Sequence, residues 1–375
     1  MELKALGWSS FFEKHFAQFR DEKAIPARVF SIGKDICDVF SEHGELHAKI
    51  AGKIYYDAAS KGDFPAVGDW VVLKHEIGEA YSSILEILPR QSCFSRKVSG
   101  SRKSKSRGVT EEQVIAANID TVFIVIGLDR DYNLRRIERY LTLVYNSGAS
   151  PVIVLNKSDL CPEIEGKILE VEAVAFDIPV YALSAEQNIG MDSLHRHLPG
   201  GKTVALVGSS GVGKSTIINS LLGEERQKVM PLRGSAGKGR HTTTRRELMF
   251  TPTGCMIMDN PGMRELSLWA DEEALKEVFK DIEELSRHCR FSDCRHEREP
   301  GCAVKKAIDG GMLDPDRYDS YLKLRKELWY LEESKHLSSR QVEKAKWERI
   351  LKDSDLTLKQ MTRLAKKSKK RFSDL

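Results

Sequence analysis

The chain has 375 residues, enough for two or three domains that each bury a core. With 41% hydrophobic and 30% charged residues it reads as a soluble globular chain, and a net charge of +4 leaves any nucleic-acid affinity to local patches. No run approaches the roughly 18 apolar residues that span a bilayer, and Glu2, Lys4, Glu13 and Lys14 interrupt the apolar stretch a signal peptide needs, so a cytoplasmic protein without membrane contact is expected.

In chain order, Leu3, Leu6, Phe12, Phe16 and Phe19 recur at near-helical spacing and predict a packing helix within residues 1–24. Residues 25–98 change to short β-rich runs. Ala27–Phe30, Ile36–Phe40, Leu46–Ile50, Asp69–Leu73 and Ser83–Leu88 make five candidate strands, the count of a small closed barrel of OB type. Residues 99–109 form a basic linker of Ser, Gly, Arg and Lys without an acid; it reads as a flexible connector or as an arm that orders on nucleic-acid phosphate.

Residues 110–270 alternate strand and helix, as an α/β sheet requires. The runs Thr121–Ile126, Pro151–Leu155, Val180–Leu183 and Thr203–Val207 predict buried parallel strands; Glu247–Phe250 and Cys255–Met258 bring the total to six, with helices over Arg135–Tyr145 and Lys214–Leu222. Residues 271–330 read as helical with a cysteine cluster embedded. Residues 331–375 form a basic helical extension, in which Lys359, Arg363, Lys366, Lys367, Lys369, Lys370 and Arg371 face a single acid, Asp374, over the last stretch. An RNA-phosphate contact is expected there.

The chemistry sits in short motifs whose order is unusual. Gly208-Ser209-Ser210-Gly211-Val212-Gly213-Lys214-Ser215, then Thr216, lies between a buried strand and a helix and reads as a phosphate-binding loop. Its backbone N–H groups would cradle phosphate oxygens, Lys214 would reach the β- and γ-phosphates, and Ser215 would ligate Mg²⁺. Asp259-Asn260-Pro261-Gly262 follows a strand and matches the DxxG switch loop, with Asp259 holding Mg²⁺ through water and Gly262 sensing the γ-phosphate. Asn156-Lys157-Ser158-Asp159 matches the guanine loop NKxD. An Asp carboxylate only accepts, so Asp159 suits guanine N1–H and N2–H₂, whereas adenine lacks that donor pair. Lys157 would cover the base, Asn156 would tie loops together, and Ser184-Ala185 fits the next guanine loop.

Between the phosphate loop and Asp259 lies a glycine-flanked segment with Thr242, Thr243 and Thr244, one of which would complete Mg²⁺ coordination; Thr243 is favoured. Met263 stands where related GTPases carry a water-orienting glutamine, so slow intrinsic hydrolysis is expected, with His241 a candidate catalytic residue. The guanine loop precedes the phosphate loop, the reverse of the ordinary order, which predicts a circularly permuted GTPase binding GTP and GDP. Permutation also places Asp259–Gly262 just ahead of the helical region, so the switch would run almost directly into it.

Cys289, Cys294, His296 and Cys302 offer a Cys₃His set suited to one tetrahedral Zn²⁺ in a closed, structural site. His288 is the alternative imidazole. Arg287, Arg290, Arg295 and Arg298 surround the set and could meet phosphate.

These motifs in this order, with Pro65–Val71 in the barrel and Gln113–Asp120 at the entry to the next domain, resemble the RsgA (YjeQ/YloQ) family of circularly permuted GTPases over roughly residues 25–330. The resemblance implies an α/β fold: a permuted Ras-like P-loop G domain, an N-terminal OB-type barrel and a C-terminal α-helical zinc-binding domain. It further implies a monomeric GTPase that binds the small ribosomal subunit and its rRNA, assists late maturation of that subunit among other assembly factors, and is stimulated by the ribosome. The barrel and zinc domain would grip rRNA, and the family shares the missing glutamine. The other reading is a GTP-regulated RNA-binding switch acting outside ribosome assembly.

Overall fold

Alternating inward and outward side chains build the first sheet. In the computed structural model, which describes residues 2–19, 24–33, 36–58, 60–76, 79–99, 110–223, 247–259, 270–296 and 299–336, a short helix α1 (Ser10–Phe16) precedes strands β1 (Ala24–Ile32), β2 (Cys37–Ser41) and β3 (Gly44–Ile50). A helix α2 (Gly52–Asp57) leads to β4 (Trp70–Lys74) and β5 (Ser82–Ile87). β1 pairs with both β2 and β4, β3 with β5, and β4 with β5, so the five strands close on themselves. Ala27, Val29, Cys37, Val39, Val71 and Leu73 fill the interior at every second position. This is the OB-type barrel expected.

The segment before it is not one helix. A 3₁₀ turn at Leu3–Leu6 stops at Gly7 (φ +88°), α1 restarts after Ser9, and a second 3₁₀ turn follows at Ala17–Phe19. Gly7 passes so close to the Gly201 carbonyl that a Cβ would lie 2.8 Å from it. Leu6, Phe12 and Phe16 still bury as their spacing suggested, against Trp70, Val72 and Leu88.

After β6 (Cys93–Ser99) and β7 (Thr110–Ala117), which pair as a separate ladder, the main α/β layer begins. It comprises β8 (Thr121–Gly127), α3 (Leu134–Ser147), β9 (Ser150–Asn156), α4 (Ile164–Glu172), β10 (Val180–Ala182), β11 (Thr203–Val207), α5 (Lys214–Leu222), β12 (Glu247–Phe250) and β13 (Met256–Asp259). The order across the sheet is β10-β9-β8-β11-β13-β12, parallel except for β12. Valine, isoleucine and leucine runs without alternation bury both faces, as a covered parallel sheet demands. All six expected strands are present. Beyond them β12 pairs with β1 at Ser31 and Glu247, making one sheet of barrel and G domain.

Arg28 fastens that junction. It is 2% exposed, and its guanidinium donates to the carbonyls of Leu6 (2.5 Å), Asn118 (2.9 Å) and Gly68 (3.3 Å) and to Thr203 Oγ1 (2.8 Å). Burial pushes it down to about 10, while the charges of Asp120 and Asp69 oppose the shift.

Four helices follow: α6 (Glu272–Val278), α7 (Lys280–Arg287), α8 (Ala303–Asp309) and α9 (Pro315–His336). Leu275, Val278, Phe279, Ile282, Tyr318, Tyr321 and Leu324 share one hydrophobic cluster with Ile137, Leu141 and Val144 of α3. The contact map divides the chain into Met1–Lys97 with Glu112–Leu328, the unit described here, and a second unit of Val98–Glu111 and Trp329–Leu375. His241, Thr243, Gly262, Met263, Arg298, most of the basic linker and the extension beyond residue 336 lie outside the described residues. Among the described residues no helix is long and apolar enough to cross a membrane.

Candidate nucleotide site and cysteine cluster

Parallel strands deliver their carboxyl ends to one edge, where the loops carry the polar groups. Here β8, β9, β10, β11 and β13 deliver the Asp129 loop, Asn156–Asp159, Ser184, Gly208–Ser215 and Asp259. Circular permutation changed which loop is met first along the chain and left this edge intact.

The phosphate loop is built by close approach. Gly208, Gly211 and Gly213 all have positive φ (147°, 82° and 97°). At Gly213 a Cβ would lie 2.2 Å from Asn156 Nδ2, so only glycine lets the asparagine through. Asn156 uses that room: Nδ2 donates to Val212 O (2.7 Å), and Oδ1 accepts from Ala185 N (3.0 Å). One buried amide thus ties the guanine loop to both neighbours, the tying role expected for it. Lys214 is buried and folds over the loop, its ammonium donating to Gly208 O (2.7 Å) and Ser209 O (2.5 Å). Ser215 and Thr216 open the first turn of α5, where unpaired backbone N–H groups favour an anion.

On the base side, Lys157 takes the left-handed conformation (φ 64°) and its ammonium lies 2.7 Å from Asp129 Oδ2. Burial works against the Asp129 carboxylate, yet the hydrogen bonds from Lys157 and from the Asp131 backbone, with the lysine charge, hold it below the usual range. Asp159 sits exposed on the turn Ser158–Leu160, itself held by Ser158 N donating to Leu183 O (3.1 Å). Asp159 therefore has the access a base-reading carboxylate needs.

Asp259 ends β13 and is 8% exposed. Its strand pairs with β11 up to Ala205 and Met258, which puts the carboxylate at the level where β11 enters the phosphate loop. Ser215 and Asp259 offer hard oxygen ligands of the kind Mg²⁺ takes, so the residues present fit that ion.

Sequence reading overlooked two residues here. Asp129 orients Lys157, and Arg136 of α3 donates to Ser209 Oγ (2.7 Å) in the phosphate loop. Asp129 follows the end of a buried strand, a position that could have flagged it. Arg136 carried no such signal, because its partner is 73 residues away.

The four predicted metal ligands converge. One donor atom from each of Cys289, Cys294, His296 and Cys302 lies within 4.8 Å of the others. Cys289 and Cys302 Sγ are 3.9 Å apart, and His296 Nδ1 is 3.5 and 3.3 Å from them. A tetrahedron with Zn–S bonds of ~2.3 Å has edges near these lengths, so the set fits Zn²⁺. His296 adopts φ +61°, and its Nε2 pairs with Ser286 Oγ (3.1 Å), which fixes the ring with Nδ1 toward the sulfurs. His288 is exposed and bonds Glu284 O (2.9 Å) instead, which decides between the two imidazoles. Cys302 also accepts from Lys305 N (3.4 Å) as the cap of α8, so the cluster and that helix form together. Arg287, Arg290 and Arg295 lie exposed around it.

Comparison with known proteins agrees with this arrangement. The family described as RsgA GTPase matches residues 87–269. The small ribosomal subunit biogenesis GTPase RsgA of Opitutus terrae is 45% identical over 359 residues, 93% of this chain and 96% of that one. The protein of the same name from Syntrophotalea carbinolica is 45% identical over 329 residues, 88% of this chain and 90% of its own. Among solved structures, YjeQ from Thermotoga maritima superposes with a TM-score of 0.60 at 27% identity, over 82% of this chain and 99% of that one. YloQ, described as a circularly permuted GTPase, gives a TM-score of 0.56 at 25% identity, over 81% and 95%. A shared sequence over almost the full length of both chains, on a permuted G domain with barrel and cysteine cluster in place, means that the chain belongs to the RsgA family of GTPases.

Proposed function

We propose that this chain is a cytoplasmic, monomeric GTPase that binds the small ribosomal subunit through its rRNA and assists late maturation of that subunit. It hydrolyses GTP to GDP and phosphate in a ribosome-stimulated way, and that hydrolysis switches its hold on rRNA and on other assembly factors. The observation that carries this reading is the permuted nucleotide edge in a chain 45% identical to small ribosomal subunit biogenesis GTPases. Nothing in these likenesses favours a switch acting outside ribosome assembly.

In this reading Asp159 reads guanine, Lys157 covers it, and Ser184 and Ala185 close the base pocket. Gly208–Thr216 and Lys214 hold the phosphates. Gly262 reports the γ-phosphate, and Thr243 and His241 serve the chemistry. Ser215, Thr243 and, through water, Asp259 would hold Mg²⁺, which supplies charge neutralisation at the phosphates when bound. The domain divisions near residues 24, 98, 109, 270 and 330 follow from the same reading. The test is phosphate release by the full chain with and without purified small subunits.

Cys289, Cys294, His296 and Cys302 are proposed to hold one structural Zn²⁺, which contributes folding free energy rather than chemistry. Elemental analysis should find one zinc per chain, lost in Cys302→Ser. Chelation should raise amide exchange across residues 282–309 while leaving β8–β11 protected. Full protection after complete metal removal would contradict the assignment.

A further inference from the structure

The helix α3 touches both the phosphate loop and the helices α6 and α9, which share a core with the zinc-bearing segment of α7 and α8. At its first turn Arg136 Nη1 donates to Ser209 Oγ (2.7 Å) and to Asp131 O (3.2 Å), and it pairs with the Asp131 carboxylate. The rest of the helix faces the other way. Arg135 pairs with Asp314 (2.5 Å), Glu138 with Arg317 (2.9 Å) and Arg139 with Glu327 (2.7 Å), while Asn146 Oδ1 accepts from Asp271 N (2.8 Å) at the cap of α6.

Ser209 is the second residue of the phosphate loop, two positions after the end of β11. Among the described residues, the side chain that bonds its hydroxyl is Arg136 of α3. A purely local role for Arg136 would end at Asp131, which closes the loop before the helix. The reach to Ser209 instead makes the outer turn of the phosphate loop depend on where α3 stands. A 14-residue helix is a rod of about 21 Å, and both of its ends are fastened, so a shift at one is felt at the other.

We propose that Arg136 is a positioning residue for GTP turnover, acting through Ser209 to fix the phosphate loop, and that α3 carries this constraint to the zinc-bearing helices. The inference rests on the GTPase reading above. It gives the nucleotide a second route to those helices, parallel to the short chain between Asp259 and α6.

The test compares wild type, Arg136→Ala, Arg136→Lys and Ser209→Ala, each as the full chain. Misplacing reacting groups by a fraction of an ångström costs turnover more than binding, so Arg136→Ala should lower kcat about 10- to 100-fold. GDP affinity should move by less than about threefold, and Arg136→Lys should recover much of the loss because it keeps a charged donor. Ser209→Ala should match Arg136→Ala and serves as the second variant if the arginine change impairs folding.

Amide exchange is the second readout. Exchanging GDP for a non-hydrolysable GTP analogue should change protection in α3 and in residues 315–328 of wild type, and the change in residues 315–328 should shrink at least about twofold in Arg136→Ala. A folded Arg136→Ala and Ser209→Ala with kcat within about twofold of wild type would overturn the positioning role. So would an exchange response in residues 315–328 that neither change diminishes. Absence of turnover in wild type would sink the GTPase reading instead, and the exchange arm, run with GDP against nucleotide-free chain, would then decide the coupling by itself.

Discussion

Asp159→Asn is expected to raise the KM for GTP about 10²- to 10⁴-fold and to transfer preference to XTP. Two charge-assisted hydrogen bonds from guanine N1–H and N2–H₂ are lost or weakened, each worth about 1.5–3 kcal/mol, and every 1.4 kcal/mol is tenfold in affinity. An asparagine amide turned to accept from N1–H points its NH₂ at another donor. Xanthine carries a carbonyl at that carbon, which accepts from the amide. The loop itself should survive, because Asn156 and not Asp159 holds it to Val212 and Ala185. Steady-state kinetics with both nucleotides checks this. A variant that kept GTP within about threefold of wild type would place the base elsewhere.

Arg317→Ala should be the most damaging single change for stability. Arg317 is 3% exposed on its side chain and Glu138 0%; the guanidinium also forks onto Asp281 (2.7 and 2.8 Å) and donates to Val278 O (2.9 Å). Burial disfavours its charge, but Asp281 and Glu138 together hold it above its ordinary value; burial likewise pushes the Glu138 carboxyl up. Removing the arginine leaves Glu138 buried with Arg135 as its remaining ion-pair partner among the described residues. Breaking a buried pair this way costs about 3–5 kcal/mol. Arg317→Met combined with Glu138→Leu removes both charges and should cost less than Arg317→Ala alone, because Asp281 is partly open to water, 27% exposed on its side chain. Urea unfolding of the single and double variants gives the comparison, with additivity of the two losses as the contrary result.

What was legible in the sequence was local. The phosphate loop needs its glycines because a backbone must pass within touching distance of Asn156, and such a constraint leaves a dense, contiguous signature. Uniform apolar runs announced the parallel strands, and five short β-rich runs announced the barrel. The cysteine set was legible in spacing, His296 over His288 included, and the ring that faces sulfur is indeed that of His296. Arg28, Arg136 and Arg317 were not legible. Each is an ordinary charged residue whose meaning lies in a partner far along the chain: Thr203 for Arg28, Ser209 for Arg136, Glu138 for Arg317. The broken N-terminal helix was hidden for the same reason, since Gly7 is there to let Gly201 approach.

The fold also bears on how the nucleotide speaks to the rest of the molecule. Sequence order pointed to the short connection after Asp259. The structure adds that α6, α7 and α9 share a core with α3 and that α9 is pinned to it by buried charge. Motion of those helices against the G domain must therefore work against both packing and the Arg317 network, so a nucleotide-driven change is expected to be small and transmitted through rigid elements. The barrel is bound as firmly by Arg28 and the β1–β12 pair.

The measurement that bears most directly on the account is single-batch GTP turnover by the full chain, with and without purified small ribosomal subunits, and with Lys214→Ala as the control. Slow turnover alone, a marked rise with small subunits, and neither in Lys214→Ala are the expected results. Equal rates with and without subunits, or a rise that survives Lys214→Ala, would contradict it.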